Sequence, residues 1–247
     1  DVNVSEWDCT VEGEEHALRL GLRYVRGLRA ESGLAIAAAK PFRDVDDLAR
    51  RVPRVRKNEI EMLAGVGALA KLETAHRRDA LWKAGRAGRP VGPLLEDVPE
   101  TAPEAPLERM TTFERLAADY HGTSMTIGRH PMHFRREELN RMGVTPARAL
   151  ANLRNGRSVR VAGCVIVRQR PGTAKGIVFI SLEDETGIFN VVVMPDLFDR
   201  YRLTIVTEPY LLIEGKVQNV DGVIHVLARR FERIEPAAPA MSSHDFK

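Results

Sequence analysis

Over the first 83 positions, apolar residues recur at three- and four-residue spacing in short runs, a pattern that predicts several short helices. Ala17, Leu18, Leu20, Leu22 and Val25 lead into Arg26-Gly27-Leu28. Ser32 is placed to cap a helix through Lys40 that carries Leu34, Ile36 and several alanines, and Pro41 ends it. Val45-Asp46-Asp47-Leu48 opens another, with Leu48 and Val52 on one face and Pro53 as its stop. Asn58 caps a third, with Ile60, Leu63 and Val66 at helical spacing. Gly65-Val66-Gly67 interrupts it and Ala68 to Leu72 continue it. Two more helices are expected over 111–121 and 135–142, with Phe113, Leu116, Ala117 and Tyr120 on one stripe of the first.

After Asn155-Gly156 the period changes from helical to alternating. Arg157 to Arg168 alternates around Val159, Val161, Val165 and Val167, with Gly163 as a bend. Ile177 to Leu182 reads as a second strand, Glu183 to Gly187 as a turn and Ile188 to Val193 as a third strand. A short helix over Asp196–Arg202 follows. Tyr210 to Val217 and Val223 to Arg230 are a fourth and fifth strand, joined by a turn at Asn219–Gly222. Five strands with a helix between the third and fourth have the layout of an OB-fold barrel. The expected architecture is therefore α+β and multidomain, with a helical part followed by a five-stranded OB-fold β-barrel.

Prolines at 90, 93, 99, 103 and 106 mark 84–110 as a Pro-rich linker or a loop laid over a surface. The other expected divisions are a helical domain over 16–83, a helical connector over 111–155, the barrel over 156–234 and a disordered tail over 235–247.

Composition bounds this picture. A chain of 247 residues has room for about two domains, and 44% hydrophobic with 29% charged residues fits a globular protein. No apolar run is long enough for a membrane span, and no basic-then-apolar leader opens the chain. Cys9 and Cys164 lie far apart and make no disulfide framework, so a reduced, cytoplasmic protein is expected. The net charge of +3 argues little for a nucleic-acid partner until it is divided. Residues 1–15 hold six acids and no Lys or Arg, whereas 16–83 hold 15 basic against 8 acidic residues, a balance of +7. A local field of that kind attracts phosphate backbones.

Arg23, Arg26 and Arg29 flank Gly27 in a candidate helix-hairpin-helix. There the glycine lets the backbone turn, and the following helix offers N–H groups and its dipole to a phosphate. A plain helical hairpin with solvated arginines fits the same spacing. Gly65 and Gly67, with Lys71 near, suggest a second hairpin or simply a helix break. On the barrel, alternation sends Val178, Ile180, Leu182, Phe189, Val191 and Val193 inward. Phe179 and Asn190 then lie on the outer face of the second and third strands, where OB barrels bind single strands. Phe179 can stack a base, Asn190 can hydrogen-bond one, and Arg168 and Arg170 in the adjacent loop can follow phosphates. A protein interface over Phe179 is the open alternative.

Catalytic and metal signatures are lacking: no phosphate-binding G-x-x-x-x-G-K-[ST] loop and no H-E-x-x-H occur. His130 and His133 flank Pro131 with no further His or Cys near, which reads as a turn. Asp44, Asp46 and Asp47 read as helix-start capping and Glu183-Asp184-Glu185 as a solvated turn. No catalytic residue, metal ligand or cofactor is assigned.

The order of these motifs resembles the C-family bacterial DNA polymerase alpha subunits. The resemblance is carried by Asp1 to Thr10, Ala17 to Leu28, Phe42 to Arg50, Gly128-Arg-His-Pro131, Val178 to Gly187 and His225-Val-Leu-Ala-Arg229. The ending Ser243-His-Asp-Phe246 is similar to that of their error-prone branch. The second and third barrel strands also look like the anticodon-binding barrels of class II aminoacyl-tRNA synthetases, in which the positions matching Phe179 and Asn190 contact bases.

The resemblance implies a C-terminal region of an error-prone polymerase acting in damage-induced translesion synthesis. It makes residues 1–15 the end of a preceding polymerase domain, with the catalytic palm upstream. This chain would then bind DNA without polymerising it: duplex on the hairpins, single-stranded template on the barrel. The parent chemistry would be two-metal nucleotidyl transfer, with Mg²⁺ held elsewhere. A module that docks mutasome accessory proteins with little DNA contact is the alternative. Pro106 to Leu116 contains no Gln-x-x-hydrophobic-aromatic peptide, which puts direct sliding-clamp binding in doubt and fits recruitment through accessory proteins.

Overall fold

A computed structural model describes residues 1–87, 106–220, 222–235 and 244–245. The chain divides into two units, Asp1–Met125 and Thr126–Lys247. Most of the expected linker, 88–105, lies outside the described residues.

The first unit is helical around one apolar core. Its helices are α1 (Ala30–Ala39), α2 (Val45–Arg51), α3 (Lys57–Gly65), α4 (Arg77–Arg86) and α5 (Thr112–Thr123). Leu22, Ile36, Leu48, Leu63, Leu69 and Leu72 are fully buried at its centre. Ile36, Leu48, Ile60 and Leu63, expected at helical spacing, line that core, whereas Leu34 on α1 is exposed and α4 is not among the helices the spacing predicts.

Several local expectations are corrected. Residues 10–19 form a hairpin of β1 (Thr10–Glu12) and β2 (Ala17–Arg19), turned by Gly13 and His16 at positive φ. The apolar residues there follow a period of two, with Val11 opposite Leu18. A single 3₁₀ turn, Leu22–Tyr24, replaces the expected first helix. Residues 1–15 are integral to this unit. Val2 is buried in its core and donates its N–H to Ala68 O at 2.9 Å, and the Asn3 side chain pairs with the Phe42 backbone. α1 starts at Ala30 after Arg29, and α3 at Lys57 after Arg56, so neither Ser32 nor Asn58 is the cap. Instead Ser32 is buried and bonds Glu59. Asp44 does cap α2, accepting the Asp47 N–H at 2.6 Å.

Ala68–Leu72 does not continue α3. Gly67 has φ +79°, its N–H reaches Ala64 O at 3.0 Å and the Ala68 N–H reaches Leu63 O at 2.8 Å. That pairing is a Schellman termination, which uses a left-handed glycine to close a helix. α4 runs through the start of the expected linker because Ala84 and Ala87 are buried in the core. The expected 111–155 connector divides: α5 belongs to the first unit, with Leu116 and Tyr120 buried, while 126–155 belongs to the second. Phe113, expected on the same stripe, is exposed.

The second unit is a closed barrel. Its strands are β3 (Ser158–Gln169), β4 (Val178–Asp184), β5 (Gly187–Val193), β6 (Tyr210–Val220) and β7 (Val223–Arg233). β3 pairs with both β4 and β6, and β5 pairs with β7 in parallel, which closes the order β3-β4-β5-β7-β6. This is the five-stranded OB fold. Val178, Ile180, Leu182, Phe189, Val191 and Val193 fill its interior. α6 (Arg136–Arg141) precedes the barrel, and α7 (Pro195–Thr207), longer than the expected helix, lies between β5 and β6. Gly163 lies flat against β4 rather than bending β3: a Cβ there would stand 2.7 Å from Glu183 O. The irregularity in β3 falls at Val165–Val167. Within the tail expected to be disordered, β8 (His244–Asp245) pairs with Val167 and Arg168, and 236–243 and 246–247 lie outside the described residues.

Candidate nucleic-acid interface

Register places one polar row and one apolar row side by side on the outside of the barrel. Phe179 on β4 is 37% exposed and faces Val192 on β5, which faces Leu227 on β7 and then Lys216 on β6. Beside it run Ser181, Asn190, His225 and Gln218. The Ser181 hydroxyl donates to Asn190 Oδ1 at 2.7 Å, and the His225 ring and Gln218 amide meet at 2.8 Å. Aromatic face, amide and imidazole are the groups that stack on bases and bond their edges. His225 and Gln218 join this row as residues that the sequence pattern does not mark. Their place beside Asn190 follows from the parallel β5–β7 pairing, which strand alternation alone does not reveal.

Arg168 is corrected. It is 3% exposed, and its guanidinium donates to the Ile205 and Glu208 carbonyls, the latter at 2.7 Å. These carbonyls end α7, where a cation meets the negative end of the helix dipole. Arg170 stays exposed, its guanidinium 5.0 Å from the Phe198 ring centre. Gln169 opposes Phe179 in the register, so Arg170 stands one residue past the aromatic row.

The β4–β5 turn that carries this face is anchored, not solvated. Asp184 is buried and accepts from the Thr186 N–H at 2.7 Å, the Ala147 N–H at 2.8 Å and Arg136 at 3.0 Å. Arg136 also bonds Glu185. The four residues Asp184-Glu185-Thr186-Gly187 make an aspartate-nucleated turn, a signal the sequence does hold. His130 caps the 3₁₀ turn Pro131–Arg135, accepting the Met132 N–H at 3.2 Å. Burial pulls its pKa below the ordinary value against the nearby carboxylates of Glu183, Glu185 and Asp184.

In the helical unit, Gly27 has φ +78° and open space where a side chain would begin. Arg26 donates its backbone N–H to Gly122 O at 2.7 Å and its guanidinium to Ser124 Oγ at 2.5 Å, so the end of α5 props the hairpin. Arg23 makes an exposed pair with Asp8 at 2.6 Å. Such surface pairs are worth about 0–1 kcal/mol and yield readily to a phosphate. Arg29 differs: it grips the buried Glu59 with both its guanidinium and its N–H, and also meets Ser32, Glu31 and Arg54 O. Burial alone would raise the Glu59 pKa. The Arg29 guanidinium, the Arg56 and Arg29 N–H groups and the Ser32 hydroxyl outweigh it and hold the carboxyl at about 2. Gly65 is the last residue of α3 and Gly67 its terminator, packed against the Arg77 guanidinium. Lys71 is exposed, 4.0 Å from Asp1.

Among the described residues no three His, Cys, Asp or Glu side chains gather where they could hold a metal ion, and no helix is long and apolar enough to cross a membrane.

Residues 1–80 match the family described as a helix-hairpin-helix motif, and 148–234 match that described as an OB-fold nucleic acid binding domain. The chain is 39% identical over its full length to 25% of the error-prone DNA polymerase of Pseudomonas syringae pv. tomato. It is 42% identical over 94% of its length to 23% of that of Alkalilimnicola ehrlichii.

The chain is similar along nearly its whole length to one part of the error-prone DNA polymerases.

It spans about a quarter of the length of these curated polymerase relatives. The similarity to error-prone polymerases runs across both units. A solved asparaginyl-tRNA synthetase from Pyrococcus horikoshii is similar over 38% of this chain and 23% of its own, at 23% identity and a TM-score of 0.33.

Proposed function

We propose that this chain is the DNA-binding part of an error-prone polymerase that acts in damage-induced translesion synthesis. The barrel takes single-stranded template on the face of Phe179, Asn190 and His225, with Arg170 at its edge. The helical unit takes duplex on Arg23, Arg26 and the Gly27 hairpin, with Lys71 as a further cation. Arg29, Gly65 and Gly67 hold that surface in shape. The observation that carries this reading is the Phe179 row: an exposed ring beside an amide and an imidazole, on an OB barrel, in a homologue of DNA polymerases.

The test is binding of single-stranded oligonucleotides across a salt series. Phe179→Ala, with an intact fold by circular dichroism, is expected to lose about 1–3 kcal/mol, the worth of one stacked base. Unchanged or salt-insensitive binding would remove DNA from the barrel's role.

A second reading has the barrel dock mutasome accessory proteins. It is favoured by Leu203, 77% exposed, and Val206, one turn apart on the outside of α7. Both readings can hold together, since α7 and the Phe179 row are different surfaces.

A further inference from the structure

Beyond the Phe179 row, the outside of the barrel carries a groove of about 480 Å³ between the residues that follow α6 and strands β3, β6 and β7. Its lining includes Arg157, Arg160 and Arg229, the Ser158 and Thr145 hydroxyls, and one acid, Glu214. Arg160 neutralises that acid, with Nη2 2.6 Å from Glu214 Oε1, and is steadied by Met142 O at 3.2 Å. Arg157 and Arg229 are exposed and have no ion-pair partner among the described residues.

Backbone geometry presents Arg229 on purpose-built terms. Glu214 opposes Arg230 and Gly215 opposes Ala228, so Arg229 is the extra residue of a bulge and has no counterpart on β6. Bulges re-aim side chains in this way. The close approach depends on Gly215, where a Cβ would stand 2.4 Å from Leu227 O. The groove is also continuous with the aromatic row. Phe179, Val192, Leu227, Lys216 and Ser158 lie in register across five strands. Four strand spacings of about 4.8 Å make a path of about 19 Å along the curved face. An OB barrel covers about 4–16 nucleotides, more than Phe179 and Asn190 can hold between them.

We propose that the groove of Arg157, Arg160 and Arg229 binds the phosphodiester backbone of a single DNA strand after it crosses the Phe179 face. Guanidinium forks match phosphate oxygens, and contacts to phosphate carry no sequence information. This inference rests on the reading of the barrel as a single-strand binder.

The test compares oligothymidylates of about 4 and about 16 nucleotides, the two ends of that site size, on the whole chain. Arg157→Ala/Arg229→Ala is expected to leave the short oligonucleotide bound as before. It should lower the salt slope of the long one by about 1.4, at about 0.7 for each lost phosphate contact. Arg157→Lys/Arg229→Lys should restore that slope, which separates charge from folding. An unchanged slope for the long oligonucleotide, with Phe179→Ala still weakening both, overturns the groove and leaves the barrel reading standing. Equal losses on both lengths also overturn it, since the arginines would then be acting at the Phe179 face or on the fold. If Phe179→Ala changes neither length, the barrel reading fails and the groove falls with it.

Discussion

Ser181 Oγ donates to Asn190 Oδ1 at 2.7 Å across β4 and β5, which leaves the Asn190 N–H₂ as the outward group beside Phe179. The bond orients a donor pair that would otherwise rotate. Asn190→Ala is therefore expected to weaken single-strand binding by about 0.5–1.5 kcal/mol, the net worth of one such hydrogen bond. Ser181→Ala should weaken it less, because the amide remains but is no longer aimed. Equilibrium titration of both variants checks the order, and a larger loss for Ser181→Ala would contradict it.

Arg26 is held by backbone and side chain to the end of α5 but stays exposed. Arg26→Glu is expected to weaken duplex binding about equally for all sequences, because a phosphate contact carries no base information. Titration against duplexes of unrelated sequence tests this. A strong sequence preference in the loss would show base contact instead.

Arg29 and Glu59 predict a pH dependence. The Glu59 carboxyl is held at about 2, below its ordinary 4.5. A depressed carboxylate contributes stability that is present above the unfolded pKa and lost as pH falls toward the folded one. The helical unit should therefore lose stability from about pH 4.5 down to about 2. Glu59→Gln should be less stable near neutral pH by about 1.5–3 kcal/mol, the range for hydrogen bonds to a charged group. It should also show a shallower acid slope. Thermal melts across that window decide it: equal slopes in both proteins would exclude Glu59 as the source.

Arg168 ties β3 to the end of α7 from a buried position. Arg168→Ala leaves those carbonyls unsatisfied and should destabilise the barrel by about 1–3 kcal/mol, read as a lower denaturant midpoint. Its salt slope for single-strand binding should match that of the unaltered chain. A reduced slope with full stability would return Arg168 to the nucleic-acid surface.

Gly67 and Gly27 share a positive φ but not their surroundings. A Cβ at Gly67 would stand 2.5 Å from Arg77 Nε, whereas one at Gly27 meets open space. Each Gly→Ala should cost about 1–2 kcal/mol for the left-handed backbone. Gly67→Ala should cost more, since the Arg77 guanidinium must also move. Chemical denaturation of the two variants gives the ranking, and a larger loss at Gly27 would reverse it.

The alternation of Val178 to Val193 and the helical spacing of Leu48, Ile60 and Leu63 were enough to identify an OB barrel and a helical unit. Burial follows periodicity when one face must leave water. Phe179 and Asn190 were legible for the same reason: on a strand, what does not point in points out. Long-range pairing was not legible. No local pattern shows that Glu59 fills the pocket of Arg29, that Arg168 turns back onto α7, or that Asp184 is buried under Arg136. Charged residues near turns look solvated in sequence, and only a fold that brings a counter-group within about 3 Å makes burial affordable. The sequence by itself determined which residues face the core and which strands could form a barrel. Tertiary structure decided which of the exposed-looking arginines remain at the surface. It also set His225 beside Asn190 and Arg229 in its bulge, because those neighbours come from the parallel β5–β7 and antiparallel β6–β7 pairings, distant along the chain and adjacent in space.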